Sequence, residues 1–527
     1  MTRREMLRTS AATVAFGAIG SSWPLRAASA PPQPGLPWMN KHANLTATVK
    51  QIEDVWNGPA PNGESWRVGC GKLQAILESA QAKGRRVRAV GGRWSLSPVA
   101  ICPDVMINTL PLNYHAIGLP AAHVSSTDVD PECLVFAQCG TSVAELNITL
   151  ESNGLALPTS GASNGQTICG AISTGTHGSA RRVGSMQDYM LGLHVLAEDG
   201  HNYWIEPASK PIVSDEFCHH LGATLIRDDR LFRAAVVGFG SFGIIHAVLF
   251  EATPIYLLDV RSLRMDWPEA VGAASTLDTS ALRLPDPGTE PFHLDFALNP
   301  YRAGRGQRGA LVTAMYKRPF GEHRKRPAKD GKLVTGIDML GIGGRFATVM
   351  PGAIPAGVSA MFEGVVKARS GMVMGTHGEV FGDTELIGKS LSAEIGIDLR
   401  DTRAAMETLL AVAHDHPFPG MFGMRYVQKS SALLAFTRFE TTCTIEMTGA
   451  GSKRTVDFYD RAWAALDARK IPYTQHWGKV HNISSKNIRQ RWGGAVDEWL
   501  EARRGILSPA GRAMFSNDLL SGCGLDR

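Results

Sequence analysis

An α+β fold of at least two domains is what this 527-residue chain predicts, on three observations. Apolar residues make up 44% of it, enough for large cores. They recur at helical spacing in some stretches and alternate in others; beyond Leu257, strand-like pieces alternate with loops. Between the patterned stretches lies 157–181, LPTSGASNGQTICGAISTGTHGSAR, which has few large apolar side chains and reads as no part of a core. It offers backbone that a ligand can approach closely, with hydroxyl and N–H groups for oxygen-rich atoms.

In chain order, the first thirty residues read as a removable export signal. Arg3, Arg4 and Arg8 form a basic start, 9–25 is uncharged, and Ala28-Ser29-Ala30 is a small-residue cleavage site. The paired arginines resemble a twin-arginine signal, which implies a periplasmic or secreted protein exported already folded. No integral membrane segment is expected in the mature chain. Losing four arginines (Arg3, Arg4, Arg8, Arg26) and Glu5 takes the formal charge from +5 to +2, too little to argue for a nucleic-acid partner. The basic cluster at 317–326 sits among Pro and Gly and reads as a solvated loop. The eight cysteines include no CxxC pair, so neither a zinc site nor a disulfide scaffold is indicated, although Cys133 and Cys139 could pair under oxidising conditions.

Leu73, Ile76, Leu77 and Ala80 mark a helix closed by Gly84. Residues 86–90 then alternate as a strand running into Gly91-Gly92-Arg93-Trp94-Ser95, where consecutive glycines present N–H groups to a phosphate. A strand at 134–137 and a helix face of Val143, Leu146, Asn147 and Leu150 lead into the Gly-rich stretch. Strands at 194–197 and 202–205 form a hairpin through Asp199-Gly200. Residues 238–243 fit G-x-G-x-x-G, but the β-branched run 244–250 follows as a strand, so the Rossmann fingerprint is rejected. Further strands are expected at 292–298, 310–316, 391–395, 421–428 and 441–447, with a helix at 402–413. Residues 346–362 read as an apolar core segment, and the second Gly-Thr-His-Gly, at 375–378, as coincidence.

Gly170-Ala171-Ile172-Ser173-Thr174-Gly175-Thr176-His177-Gly178 resembles the flavin-contacting signature of the vanillyl-alcohol-oxidase-type FAD family, in particular its D-arabinono-1,4-lactone, L-gulonolactone and alditol oxidases. His476-Trp477-Gly478-Lys479 resembles the motif at which the chain of those enzymes returns to the flavin, and 499–515 resembles their closing helix and turn. The resemblance implies a two-part PCMH-type FAD-binding domain over 44–256 and a substrate-binding cap over 257–475, with an antiparallel sheet flanked by helices. It implies a C-terminal segment, 476–527, that returns to the first domain. FAD contacts are implied for Gly91, Gly92, Arg93, Trp94, Ser95, Ser160, Gly161, Gly170, Ala171, Ser173, Thr174, Gly175, Thr176, His177 and Gly178, with Gly243, Ile244 and Ile245 near the adenine. His177 is read as ordering its turn and Cys169 as a buried free thiol.

Two positions depart from the family pattern. Trp94 stands where a histidine often carries a covalent flavin bond, so FAD is expected to be held non-covalently. The family triplet Glu-x-Arg reads Gly423-Met424-Arg425; its arginine stays, its glutamate is lost, and Glu446 on the next strand is the candidate substitute. The implied reaction is oxidation of a CH–OH group by hydride transfer to flavin N5. His476 is the expected base for the hydroxyl proton, and Lys479 and Arg425 the cations that stabilise charge on the flavin. The expected substrate is a small molecule, a sugar lactone, alditol or other alcohol, and no metal is implied. Three readings stay open: an oxidase that reduces O2 to H2O2, a dehydrogenase that passes electrons to a quinone, cytochrome or other periplasmic acceptor, and a flavin-binding protein without turnover.

Overall fold

The computed structural model describes residues 35–59, 64–282, 284, 288–323, 351–369, 372–382 and 389–527. The expected export signal at 1–30, residues 324–326 of the basic cluster and residues 346–350 of the apolar segment lie outside them.

The helix Ser65–Ala82 turns Trp66, Cys70, Leu73, Leu77 and Ala80 inward, at the spacing that puts them on one face. Lys83 and Gly84 close it, Gly84 at a φ of 57°. Beside it, Gln51–Asp54, Val105–Asn108 and Val87–Val90 pair in parallel, which delivers the chain at the end of Val87–Val90 to the loop 91–95. A second, six-stranded sheet runs in the order Thr224–Arg227, Asn202–Glu206, Met190–Leu196, Ile244–Glu251, Leu134–Gln138, His115–Ile117. Its hairpin turns through Gly200, at a φ of 76°. Ile244–Glu251 pairs antiparallel with Met190–Leu196, so a strand does follow 238–243.

The Gly-rich stretch corrects the reading that it builds no core. It contains the helix Ile168–Thr174, N-capped by the Thr167 hydroxyl and ended by Gly175 in the left-handed region. Ile168, Cys169, Ala171 and Ile172 are buried in the main core. Small side chains do both jobs here: they let the helix sit deep while its other side stays open for close approach.

From Tyr256 onward the chain forms an eight-stranded antiparallel sheet. Its order is Met372–Thr376, Tyr256–Met265, Ala310–Pro319, His293–Leu298, Gly420–Gln428, Thr441–Ala450, Ser390–Asp398, Tyr473–Gln475. Strand alternation splits the side chains between two faces. Phe296, Phe422, Met424, Ala393 and Ile445 lie in a core with the helices Trp267–Thr276, Thr402–Asp415 and Lys453–Ala468. On the other face, Ala297, Leu311 and Met421 are covered by the helix Ile354–Ala368, so the described part of the apolar segment is core. Gly423, Arg425, Glu446 and Glu394 share that second face.

The C-terminal segment packs Trp477, Trp492, Trp499 and Phe515 into the core that holds the six-stranded sheet. Its helix Ala495–Ile506 carries Arg503, fully buried, whose guanidinium donates to the Ser241 carbonyl at 2.9 Å, to the Arg512 carbonyl at 2.7 Å and to Ser516 Oγ at 3.0 Å. Burial pulls this guanidinium down to about 9, yet leaves it charged at neutral pH. All eight cysteines are free, Cys133 and Cys139 included. Among the described residues, no helix is long and apolar enough to cross a membrane. Because Arg503→Met leaves the Ser241 carbonyl buried without a donor and strips the Arg512 carbonyl of all but the Ser516 hydroxyl, it should lower unfolding free energy by about 3 kcal/mol in urea titrations. A loss within error of zero would mean that water satisfies them.

Candidate functional site

One large cleft lies between the loop 91–95, the Gly-rich helix, residues 239–245 and the bare face of the eight-stranded sheet. Counted to its open mouth it encloses about 1530 Å³.

Backbone crowding explains the glycines at one end. A Cβ on Gly91 would lie 2.3 Å from Thr167 Oγ1, and one on Gly92 2.7 Å from the Gly165 carbonyl. Gly243, at a φ of 117°, would drive a Cβ to 2.4 Å from the Leu196 carbonyl. Trp94 packs its ring against Gly165, with Lys41 Nζ 4.7 Å from the ring centroid. Arg88, from the strand leading into this loop, is fully buried and lines the cleft. One of its nitrogens donates to the Phe239 carbonyl, while Nε and Nη2 have no protein partner. A buried cation with idle donors beside bare peptide N–H groups fits a diphosphate, so these residues suit a dinucleotide cofactor.

Charge is concentrated at the other end. In the sheet register Gly423 stands opposite Glu446, and Glu446 opposite Glu394, while the His476 N–H donates to the Glu394 carbonyl at 3.0 Å. Glu446 thus stands one strand over from position 423, on the same face of the sheet. Lys479 Nζ lies 2.7 Å from Glu394 Oε2 and 2.6 Å from Glu446 Oε1. Glu446 also takes Arg425 Nη1 at 3.3 Å and the Ser392 hydroxyl at 2.9 Å. His177 Nε2 lies 3.1 Å from Glu394 Oε1. Burial pushes both carboxyls up, but Lys479 with His177 pulls Glu394 well below the usual range, and Lys479 with Arg425 holds Glu446 more moderately below it. Burial works against the Lys479 ammonium too, and its two carboxylates reverse that and raise it.

The surroundings of His476 do not suit the expected role of base. Burial, aided by Lys479, pushes its imidazole down to about 3, so the ring is neutral at ordinary pH. The Gly478 N–H donates to its Nδ1 at 3.0 Å, which puts the ring proton on Nε2. The ring thus presents a donor.

Gly91, Gly92, Arg93, Trp94, Ser95, Gly161, Gly170, Ala171, Ser173, Thr174, Thr176, His177, Gly243 and Ile245 all line the cleft, as do Arg425, Glu446, His476 and Lys479. Ser160, Gly175, Gly178 and Ile244 are not among its lining residues. Ser160 is buried against His377, Oγ to Nε2 2.8 Å, so the second Gly-Thr-His-Gly packs against the Gly-rich stretch. Gly175 ends its helix, Gly178 packs on the Ser160 carbonyl, and Ile244 turns to the opposite side of its strand from Ile245. Sequence reading missed Arg88, His42 and Glu394 as lining residues. Only Glu394 carried a signal, an acid in the middle of an apolar strand. Cys169 lines the cleft with its thiol raised well above the usual range by burial, which leaves it inert.

Residues 71–206 match the family model described as FAD binding domain. The chain is similar to the D-arabinono-1,4-lactone oxidase of Candida albicans, 27% identical over 218 residues, which are 40% of this chain and 36% of that protein. It thus spans only about a third of that relative. It is also similar to the L-gulono-1,4-lactone dehydrogenase of Mycobacterium tuberculosis, 22% identical over 80% of this chain and 87% of the relative. The cholesterol oxidase from B. sterolicum shares the fold, with a TM-score of 0.68 at 12% identity over 95% of this chain and 100% of that one. The stretch 170–178 thus falls within the matched FAD binding domain, and the fold of the chain is shared with a solved neighbour over nearly its whole length.

With two idle donors lost, Arg88→Met should weaken FAD binding by roughly tenfold or more, measured by flavin fluorescence quenching on reconstitution of the stripped protein. Unaltered affinity would exclude Arg88 from the diphosphate site.

Proposed function

We propose that this chain is an exported FAD-dependent oxidoreductase that oxidises a CH–OH group of a small molecule: a sugar lactone, an alditol or another alcohol. The observation that carries the reading is the meeting, in one cleft, of a glycine-lined diphosphate cradle and a buried cluster of acids and bases. Bound FAD supplies the hydride-accepting chemistry. Arg88 and the loop 91–95 hold its diphosphate, and with Trp94 in the linking position the cofactor is held without a covalent bond.

The chain's own residues handle the proton. Glu446 is the better placed acceptor of the two carboxylates, because its side chain keeps 6% exposure to the cleft and that of Glu394 keeps none. Arg425 fixes one of its oxygens, Lys479 the other. The Nε2–H of His476 offers a hydrogen bond to an oxygen in the cleft. Position 423 carries no side chain to hold a hydroxyl, and this suits a substrate with fewer hydroxyls than a sugar.

O2, released as H2O2, is the proposed electron acceptor. A dehydrogenase using a quinone or cytochrome is the second reading, supported by the name of the mycobacterial relative that aligns over most of its length. Export rests on the paired arginines of the N-terminus.

Anaerobic mixing of the purified protein with lactones, alditols, aliphatic alcohols and sterols should bleach the flavin with at least one of them. Admitting air then separates the two acceptors by the speed of reoxidation. Failure of every candidate alcohol, with flavin bound, would leave a flavin-binding protein without this activity. Glu446→Gln should keep the flavin and slow its reduction roughly a hundredfold or more. Since the Glu446 carboxyl titrates below its usual range, it stays ionised as pH falls from neutral. The reduction rate should hold through mild acidity and fall only as the carboxyl takes its proton; a decline centred near neutrality would point to another base.

A further inference from the structure

Lys479 and Arg425 look like the source of positive charge in the cleft, but each already faces a carboxylate. Counted alone, Glu394 and Glu446 cancel Lys479 and Arg425. The neighbouring Asp295–Arg369 pair, 2.9 Å apart and one strand from Arg425, cancels itself. His476 and His42 are neutral, pushed down to about 3 and about 4 by burial. Apart from Arg88 and Arg93 at the phosphate-loop end, the remaining group is His177.

His177 is buried, and both of its ring nitrogens meet oxygens that can only accept. Nδ1 is 2.8 Å from the Gly178 carbonyl, and Nε2 is 3.1 Å from Glu394 Oε1. A neutral imidazole has one N–H, so it can satisfy only one of these contacts. The other would set a nitrogen lone pair against a carbonyl or carboxylate oxygen, according to the tautomer. The geometry therefore requires one proton beyond those of a neutral imidazole and a carboxylate.

We propose that His177 and Glu394 share this extra proton, so that the pair is neutral and the cluster carries one net positive charge, which serves to receive the single negative charge that hydride transfer places on the flavin. The inference rests on the functional reading above. Hydride transfer brings two electrons and one proton to the ring system, leaving it with one negative charge unless a further proton follows; the substrate hydroxyl proton goes to Glu446. His177 is thus a positioning residue that acts through Glu394, and Lys479 with Arg425 supplies no surplus charge without it.

Sulfite tests the charge count without a known substrate. Its sulfur electron pair adds to the oxidised flavin at N5, and the displaced pair leaves the same negative charge in the ring. Binding is read from loss of the visible flavin band in the holoprotein at one fixed pH. His177→Gln leaves the Glu394 carboxylate uncompensated and should weaken sulfite roughly 10- to 100-fold, the scale of one charge acting across several ångströms. Glu394→Gln should leave sulfite affinity essentially unchanged, because carboxylate and shared proton go together. The double variant should recover wild-type affinity.

A double variant as weak as His177→Gln would give His177 a merely structural role and overturn the proposal. So would a gain of roughly tenfold or more in Glu394→Gln, which is what removing a carboxylate without a shared proton would produce. That single variant decides the matter even if His177→Gln cannot hold flavin. A colourless wild-type protein would instead sink the functional reading, and this inference with it.

Discussion

One buried ammonium holds this site together. Two glutamates face each other across a strand pair with almost no access to water, an arrangement that would cost several kcal/mol or force protonation if left alone. Lys479 sits between them, and it arrives from a different part of the chain. The carboxylates belong to Ser390–Asp398 and Thr441–Ala450 of the large sheet, whereas Lys479 follows the edge strand Tyr473–Gln475 and begins the return to the first core. The same return brings the Gly478 carbonyl to the Leu96 N–H at 2.8 Å, tying the charged end of the cleft to the phosphate-loop end. Charge neutralisation and chain topology are thus one event.

How much of this was legible follows from what each feature depends on. Turns and cradle glycines depend on backbone, which sequence reports directly: Gly91-Gly92, Gly200 and 238–243 stand where expected. Strands such as Gly420–Gln428 announce themselves by alternation. The ion-pair cluster depends instead on register among three strands and a returning segment. Nothing within Leu391-Ser392-Ala393-Glu394-Ile395 says that Glu446 lies across from its acid, or that Lys479 will come between them. That Glu446 stands beside the acid-free position 423 is visible only once Gly423 and Glu446 are seen to be opposite.

Two misreadings have the same physical root. The Gly-rich stretch seemed too poor in large side chains for a core, yet small residues are what permit a deeply buried helix against a ligand cleft. His476 seemed a natural base from its residue type, but a single backbone donor, Gly478 N–H, fixes its tautomer the other way. Arg88 went unnoticed because an arginine in a short alternating strand usually points to solvent. Residue type sets what a group can do, whereas the neighbours that burial supplies decide what it does.

The account stands or falls on whether the Lys479 cluster borders a bound flavin. The direct measurement is a visible absorption spectrum of the purified protein, and of Lys479→Met reconstituted in the same way. If the cluster lies beside the isoalloxazine, both proteins show flavin bands and those of the variant are shifted in position or shape. A colourless wild type that takes up no flavin, or two superimposable flavin spectra, would contradict the account.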